Sequence, residues 1–318
     1  MKIETNARFI ARQKNDTGIS ELEFLNNKHF NGQIRVRENM HTIIHESYGF
    51  KNLNFDPITY DTQFLTASIQ KFITGIVIEQ LIEEGKLKRF DAVNKYIYNI
   101  PGHITIEDLL LHISGLTPYK VYQNFHGLKQ SIKVIQKSGA TLPYHQFDYN
   151  DANYIILAKI IEIIENKSYR SVIYDKIIDK YQLTNTCFYD ETKDATTGIH
   201  QFGRFLIEDW HNDLDKYYGA GNMYMSLSDI DTLCRLFAQY HIFNEQKTQE
   251  IIRPDRFLKK KYRSGISLRS PYLRIRGTLY AHDVVAYFNA ERFIAVATNR
   301  QSDQYKAEEI VTHIISKI

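Results

Sequence analysis

Residues 67–86 read Ala67-Ser68-Ile69-Gln70-Lys71-Phe72-Ile73-Thr74-Gly75-Ile76-Val77-Ile78-Glu79-Gln80-Leu81-Ile82-Glu83-Glu84-Gly85-Lys86. Ile69, Phe72, Ile73, Ile76, Val77, Ile78, Leu81 and Ile82 fall on most of the circumference of a helix over 68–84. A helix that is apolar nearly all round is buried. Gly85 followed by Lys86 is an ordinary stop. Lys71 is the anomaly, one turn into this apolar helix. Burial by itself is expected to lower the pKa of its ammonium. Ser68 stands three residues earlier, on the same face. A serine hydroxyl is a poor nucleophile until a neighbour takes its proton. At a helix start, free backbone N–H groups favour developing negative charge. An S-x-x-K string occurs by chance about once in a chain of this length, so its surroundings must decide.

Toward the N-terminus, residues 33–37 and 40–48 read as a strand pair with Glu38-Asn39 as the turn. Ile34 and Val36 alternate with Arg35 and Arg37, the period of a half-buried strand. Residues 1–28 read as a polar helical lead-in. Toward the C-terminus, a short helix is expected at 106–113, opened by Thr105 and Asp108 in a capping-box pattern. A stronger helix is expected at 151–166, with Ile155, Ile156, Ile160, Ile161, Ile163 and Ile164. Another begins near Ser228-Asp229. The last third reads as strands at 272–276, 278–288 and 292–298. A closing amphipathic helix carries Ala307, Ile310, Val311, Ile314 and Ile315. Strands, then helices, then strands and a helix make an α+β arrangement. The expected division is a sheet lobe of 1–66 and 186–318 and a mainly helical lobe of 67–185, interlocked as one unit.

The 318 residues are 43% hydrophobic and 24% charged. That excludes wholesale disorder, a fibrous protein and a coiled coil. Two cysteines, Cys187 and Cys234, exclude a disulfide framework and a cysteine-rich zinc module. A net charge of +3 does not point to nucleic acid. No stretch approaches 18 uncharged apolar residues, so no membrane-spanning segment is expected. The N-terminus lacks the apolar stretch of a signal peptide. As written the chain reads as cytoplasmic. A mature chain whose leader had been removed reads the same, and its compartment is then the cell envelope.

Five stretches, taken in order, resemble the serine hydrolases of the β-lactamase and penicillin-binding-protein superfamily, of the class C-like type. Residues 58–64 resemble the approach to the nucleophile, and 67–75 its helix. Glu84-Gly85-Lys86-Leu87 and then Leu109-Leu110-Leu111-His112-Ile113-Ser114-Gly115-Leu116 resemble the "LL-x-H-x-SGL" segment. Residues 147–154 resemble the Y-x-N segment. Gly219-Ala220-Gly221-Asn222-Met223 with 226–229 resembles "GG-x-x-ST-x-x-D". The resemblance runs from about Phe30 to Arg300. It implies a β-lactamase/transpeptidase-like fold, with an antiparallel sheet built from both ends of the chain, flanking helices and a helical lobe.

The resemblance also implies site roles. Ser68 is the nucleophile and Lys71 its partner. Tyr149 is the proton carrier, because beside a cationic lysine its phenolate is favoured. The oxyanion hole falls to the backbone N–H groups of Ser68 and Thr278. Two positions depart from the family pattern. Tyr149-Asn150-Asp151 has an aspartate where asparagine is usual, which would hold Lys71 charged. This Y-x-D variant is associated with the staphylococcal teichoic acid D-alanine esterases of the superfamily. The third motif, usually K-T-G or H-x-G, is Ile275-Arg276-Gly277, with Arg276 or Arg274 as the replacement charge bordering the substrate. That departure weighs against a β-lactam.

The expected activity is a serine hydrolase acting through an acyl-enzyme, on a D-alanyl ester of a cell-wall polymer such as teichoic acid or on another small acyl ester. The alternatives are a D-alanyl carboxypeptidase or weak β-lactamase, and a non-catalytic wall-binding or penicillin-sensing domain. No cofactor and no metal are expected. His41 and His45 lack a third ligand nearby. His112 reads as a structural hydrogen-bonding histidine, His282 and Asp283 as a solvated strand end, and the cysteines as packing residues. Arg256, Lys259, Lys260, Lys261, Arg263, Arg269, Arg274 and Arg276 form an acid-free basic run leading to the third motif. It is either a solvated face or a guide for a polyphosphate substrate. Nothing in the sequence determines the oligomeric state.

Overall fold

In the computed structural model, residues 29–121, 126–203, 205–209, 213–253 and 258–317 are described. The lead-in expected over 1–28 and Arg256 of the basic run lie outside them. The strands are β1 (Gly32–Glu38), β2 (His41–Tyr48), β3 (Phe64–Leu65), β4 (Thr186–Phe188), β5 (Gly198–Phe202), β6 (Phe205–Asp209), β7 (Met223–Met225), β8 (Tyr262–Arg263), β9 (Ile266–Arg269), β10 (Tyr272–Leu279), β11 (His282–Phe288) and β12 (Arg292–Thr298). The helices are α1 (Gln70–Glu83), α2 (Ile106–Leu110), α3 (Gly127–Ser138), α4 (Asp151–Glu165), α5 (Tyr169–Ile173), α6 (Leu227–Ala238), α7 (Glu245–Ile252) and α8 (Ala307–Ile315).

The main sheet has seven antiparallel strands in the order β2-β1-β12-β11-β10-β9-β8. Both ends of the chain therefore build it, and β12 closes it by pairing with β1. Period-two alternation sends Phe293, Ala295 and Ala297 to one face and Ile294 and Val296 to the other. The first set joins the main core, together with α1 and α4. The second packs under α8, against Ile310, Val311 and Ile314. With both faces covered, β12 and β11 are apolar runs rather than clean alternations. From Gln70 to Leu81, α1 is buried throughout, as its all-round apolar pattern requires.

Two boundaries and the burial of one residue differ from the sequence reading. The helix opened by the Thr105/Asp108 capping box stops at Leu110. His112 then takes a left-handed conformation with φ 56° and turns the chain. The strand expected to break at Gly277 runs on to Leu279, and the turn falls at Tyr280-Ala281, both with positive φ. His282 is not a solvated strand end. It is fully buried, with its ring nitrogens at Thr196 Oγ1 (2.9 Å) and the Tyr280 carbonyl (2.9 Å). Among the described residues no helix is long and apolar enough to cross a membrane, and no group of His, Cys, Asp and Glu is arranged to hold a metal.

Candidate active site

Ser68 sits in a single 3-10 turn, Ala67–Ile69, that leads into α1. Ala67, just before it, has φ 45°, a left-handed conformation that an L-residue enters at a cost of about 1–2 kcal/mol. Such a bend persists where the surroundings over-determine it. Here they do, on two sides. Strand β10 presses on one side: a Cβ at Gly277 would lie 1.9 Å from the Thr66 carbonyl and 2.7 Å from the Ser68 nitrogen. Only glycine allows that approach. On the other side runs the segment 219–223. Its Gly219 carbonyl accepts from Thr74 Oγ1 (2.7 Å), and its Met223 carbonyl accepts from Thr66 N (2.9 Å) and Thr66 Oγ1 (2.7 Å). The Asn222 amide donates to Gln70 Oε1 at 2.6 Å.

The Lys71 ammonium is fully buried beneath this turn. Its Nζ donates to Ser68 Oγ (2.9 Å) and to the Ala220 carbonyl (2.9 Å), and lies 2.7 Å from Asp151 Oδ1. Three N–H bonds thus have three partners. Burial pushes the ammonium's pKa down, but Asp151, the foremost opposing cause, and Tyr149 push it back above its ordinary value. Burial acts as expected, yet the lysine is held charged, as expected of an aspartate at this position. Asp151, in the place of the usual asparagine, is the reason.

Tyr149 and Asp151 flank Asn150, whose side chain fixes the entry to α4. Asn150 Oδ1 accepts from Ala152 N (3.0 Å) and Tyr119 N (3.1 Å), while its Nδ2 donates to the Leu116 and Thr117 carbonyls (2.9 and 3.1 Å). That anchoring carries Asp151 to Lys71 and leaves Tyr149 46% exposed. The Tyr149 ring centroid lies 5.0 Å from Lys71 Nζ and 4.4 Å from the His112 ring. His112 is buried and receives Asn150 N (3.2 Å) and Asn153 Nδ2 (2.9 Å) at Nδ1. Burial first, and then the Lys71 charge, hold its pKa well below the ordinary value, so it stays neutral. Its hydrogen bonds agree with the structural reading of this residue.

On β10, Ile275 and Gly277 face the main core, and Ile275 is buried within it. Arg274 and Arg276 point to the opposite face. Arg274 Nε meets Glu308 Oε1 of α8 at 2.8 Å. Arg276 meets Asp283 at 3.0 and 3.1 Å. Thr278 is exposed, and its hydroxyl donates to Asp283 at 3.1 Å.

Ser68, Tyr149, Arg274, Arg276 and Thr278 line one open cleft of about 940 Å³. Its wall also carries Phe147 and Tyr262, which the sequence reading missed. Tyr262 stacks edge-on to Tyr149 (5.9 Å) and Phe147 (6.0 Å). No motif marks it, because hairpin β8–β9 reaches the cleft only through sheet pairing. Lys259, Lys260, Lys261 and Arg269 form the exposed rim, without an ion pair among the described residues. Arg263, in the same basic run, is instead locked to Glu107.

A serine bonded to a buried lysine at the foot of a helix, under a strand that presses on the serine amide, belongs to the β-lactamase and transpeptidase class of serine hydrolases. The family model described as Beta-lactamase matches residues 26–308, and the chain belongs to that family. It is similar to the Teichoic acid D-alanine hydrolase of Staphylococcus aureus (strain NCTC 8325 / PS 47): 34% identical over 307 residues, covering 93% of this chain and 76% of that one. Among solved structures, FmtA from Staphylococcus aureus matches with a TM-score of 0.86 at 33% identity, covering 93% of this chain and 85% of that chain. A penicillin-binding protein from Bacillus halodurans matches with a TM-score of 0.82 at 19% identity, covering 92% and 98%. That last likeness speaks for the fold alone.

Proposed function

We propose that this serine hydrolase removes D-alanyl groups from a polyol-phosphate wall polymer such as teichoic acid, through an acyl-enzyme on Ser68. The observation that carries the reading is the Lys71 ammonium, held at once by Ser68 Oγ, Asp151 and the Ala220 carbonyl. A lysine so held is a poor proton acceptor, which leaves that task to Tyr149. Ser68 Oγ attacks the ester carbonyl and its proton passes to Tyr149, which enters the step as its phenolate. Lys71 steadies the negative charge in transit. The carbonyl oxygen becomes an oxyanion facing the backbone N–H groups of Ser68 and Thr278. On collapse, the polyol oxygen leaves with the proton from Tyr149, and D-alanine stays esterified to Ser68. Water then gives a proton to Tyr149, attacks the acyl carbon, and D-alanine departs as Ser68 recovers its proton.

The substrate class rests on the similarity to the teichoic acid D-alanine hydrolase and on the cationic rim. Lys259, Lys260, Lys261 and Arg269 meet a polyanion before it reaches Ser68. The test is D-alanine release from D-alanylated teichoic acid by the wild-type chain and by Ser68→Ala. Release that survives in Ser68→Ala, or an acyl adduct mapped by mass spectrometry to another serine, removes the reading.

A further inference from the structure

A second cavity, of about 640 Å³, adjoins the cleft across hairpin β8–β9. Lys261, Leu268 and Ser270 line both cavities. The boundary between them is a saddle, where Leu268 N donates to the Lys261 carbonyl at 2.9 Å. Among the described residues neither cavity is lined by an acidic side chain. The second one offers Arg253 and Lys261, both exposed, with Tyr240, Gln249 and Asn289.

Its charge contrasts with the ground just behind it. There Arg89 binds Glu79 (2.7 Å), Glu107 (3.0 Å) and Glu250 (2.8 Å), Lys247 reaches Glu79 (3.1 Å), and Arg263 is locked to Glu107. Those cations are neutralised by their neighbours. Arg253 and Lys261 have no ion pair among the described residues. The same knot also fixes where Arg253 sits, since Arg263 donates to the Glu250 and Arg253 carbonyls (3.3 and 3.4 Å) at the end of α7.

We propose that this second cavity is a distal subsite for a polyol-phosphate chain whose acylated unit lies at Ser68. The chain crosses the saddle at Lys261, which meets a phosphate between the two units. Arg253 meets the next phosphate, and the Tyr240 ring supports the polyol carbons between them. This rests on the polymer reading above and adds a direction and a second binding point to it.

The experiment uses D-alanylated poly(glycerol phosphate) of defined length, from one repeat to about eight. Wild type is compared with Arg253→Ser, Tyr240→Ala and the charge-keeping Arg253→Lys. The quantity read is kcat/KM on the long chain divided by that on the single repeat, which cancels any general effect of a substitution on the enzyme. The ratio should exceed one in wild type. It should fall by about five- to tenfold in Arg253→Ser, through KM, the order expected for loss of one partly desolvated charge contact. Tyr240→Ala should show a smaller fall, and Arg253→Lys should keep most of the ratio. A ratio near one in wild type, or one unchanged in Arg253→Ser, overturns the subsite and leaves the polymer reading standing. Failure to release D-alanine from chains of any length, with a small D-alanyl ester still cleaved, overturns the polymer reading and the subsite with it.

Discussion

The floor and the rim of the cleft treat positive charge in opposite ways. On the floor, Lys71 has no exposure and its ammonium is bound by Ser68, Ala220 and Asp151. On the rim, Lys259, Lys260 and Lys261 are exposed and without ion pairs among the described residues. A buried charge must be paired or it costs several kcal/mol. Its partners then determine its protonation and position. An exposed charge keeps its water, has little fixed geometry, and acts through its field over ~10 Å at ordinary salt. The floor is therefore built for chemistry at one atom and the rim for attraction at a distance.

The contrast breaks outright if the floor is dispensable. Ser68→Ala should abolish acyl-enzyme formation with a fluorophosphonate or activated ester while circular dichroism stays that of wild type. Lys71→Ala and Tyr149→Phe should each lower kcat by about 10²–10⁴-fold, and the double variant by little more than the worse single one, because the pair handles one proton as a unit. Additive losses in that cycle would separate the two roles.

Asp151→Asn sharpens the contrast by leaving the buried cation without its carboxylate. Burial then acts with one opposing influence fewer, and the Lys71 pKa should fall. The sign follows from linkage. With the folded-state pKa raised, the stability that Lys71 contributes in wild type is fully present below the unfolded value near ~10.4. It is lost as pH rises through the folded value. Wild type should thus lose melting temperature from about pH 10 upward, whereas Asp151→Asn should start lower and show a weaker alkaline loss. Calorimetry across pH 7–11 checks this, and identical profiles would mean that Asp151 does not set the charge of Lys71.

The smallest effect belongs to the rim. Lys259, Lys260 and Lys261 all changed to Gln should lower kcat/KM on teichoic acid at low ionic strength and converge with wild type as salt rises. Equal activity at every salt concentration would return these lysines to an ordinary solvated face.

Where the sequence reading succeeded, the signals were local. Thr105 and Asp108 form the expected capping box. Asn166, with φ 50°, closes α4 where the apolar pattern ends. It failed where conformation was imposed from outside the segment. Nothing in Leu111-His112-Ile113 signals a left-handed histidine. That turn seats the ring against Asn150 and Tyr149, which lie far along the chain. Gly277 reads as a strand break, yet it is the point where an unbroken strand must touch the Ser68 amide. Tyr280-Ala281 makes a turn with two positive φ values and neither Gly nor Asn to announce it.

The sequence by itself determined the buried helix, the Ser68-Lys71 spacing on one of its faces, and the strands near both ends of the chain with the strongest helices between them. Each depends on periodicity within a few turns of chain. Tertiary structure supplied the contacts that keep Lys71 charged: Asp151, which the resemblance had pointed to, and the Ala220 carbonyl, 149 residues away, which nothing in the spacing announced. It also decided that Arg274 and Arg276 turn away from the face occupied by Ile275, toward Glu308 and Asp283. And it decided that the uncommitted cations gather on one wall while Arg263 is neutralised beside them. Electrostatic roles depend on which groups are near in space and how much water lies between them, and neither quantity is written in the spacing of residues along a chain.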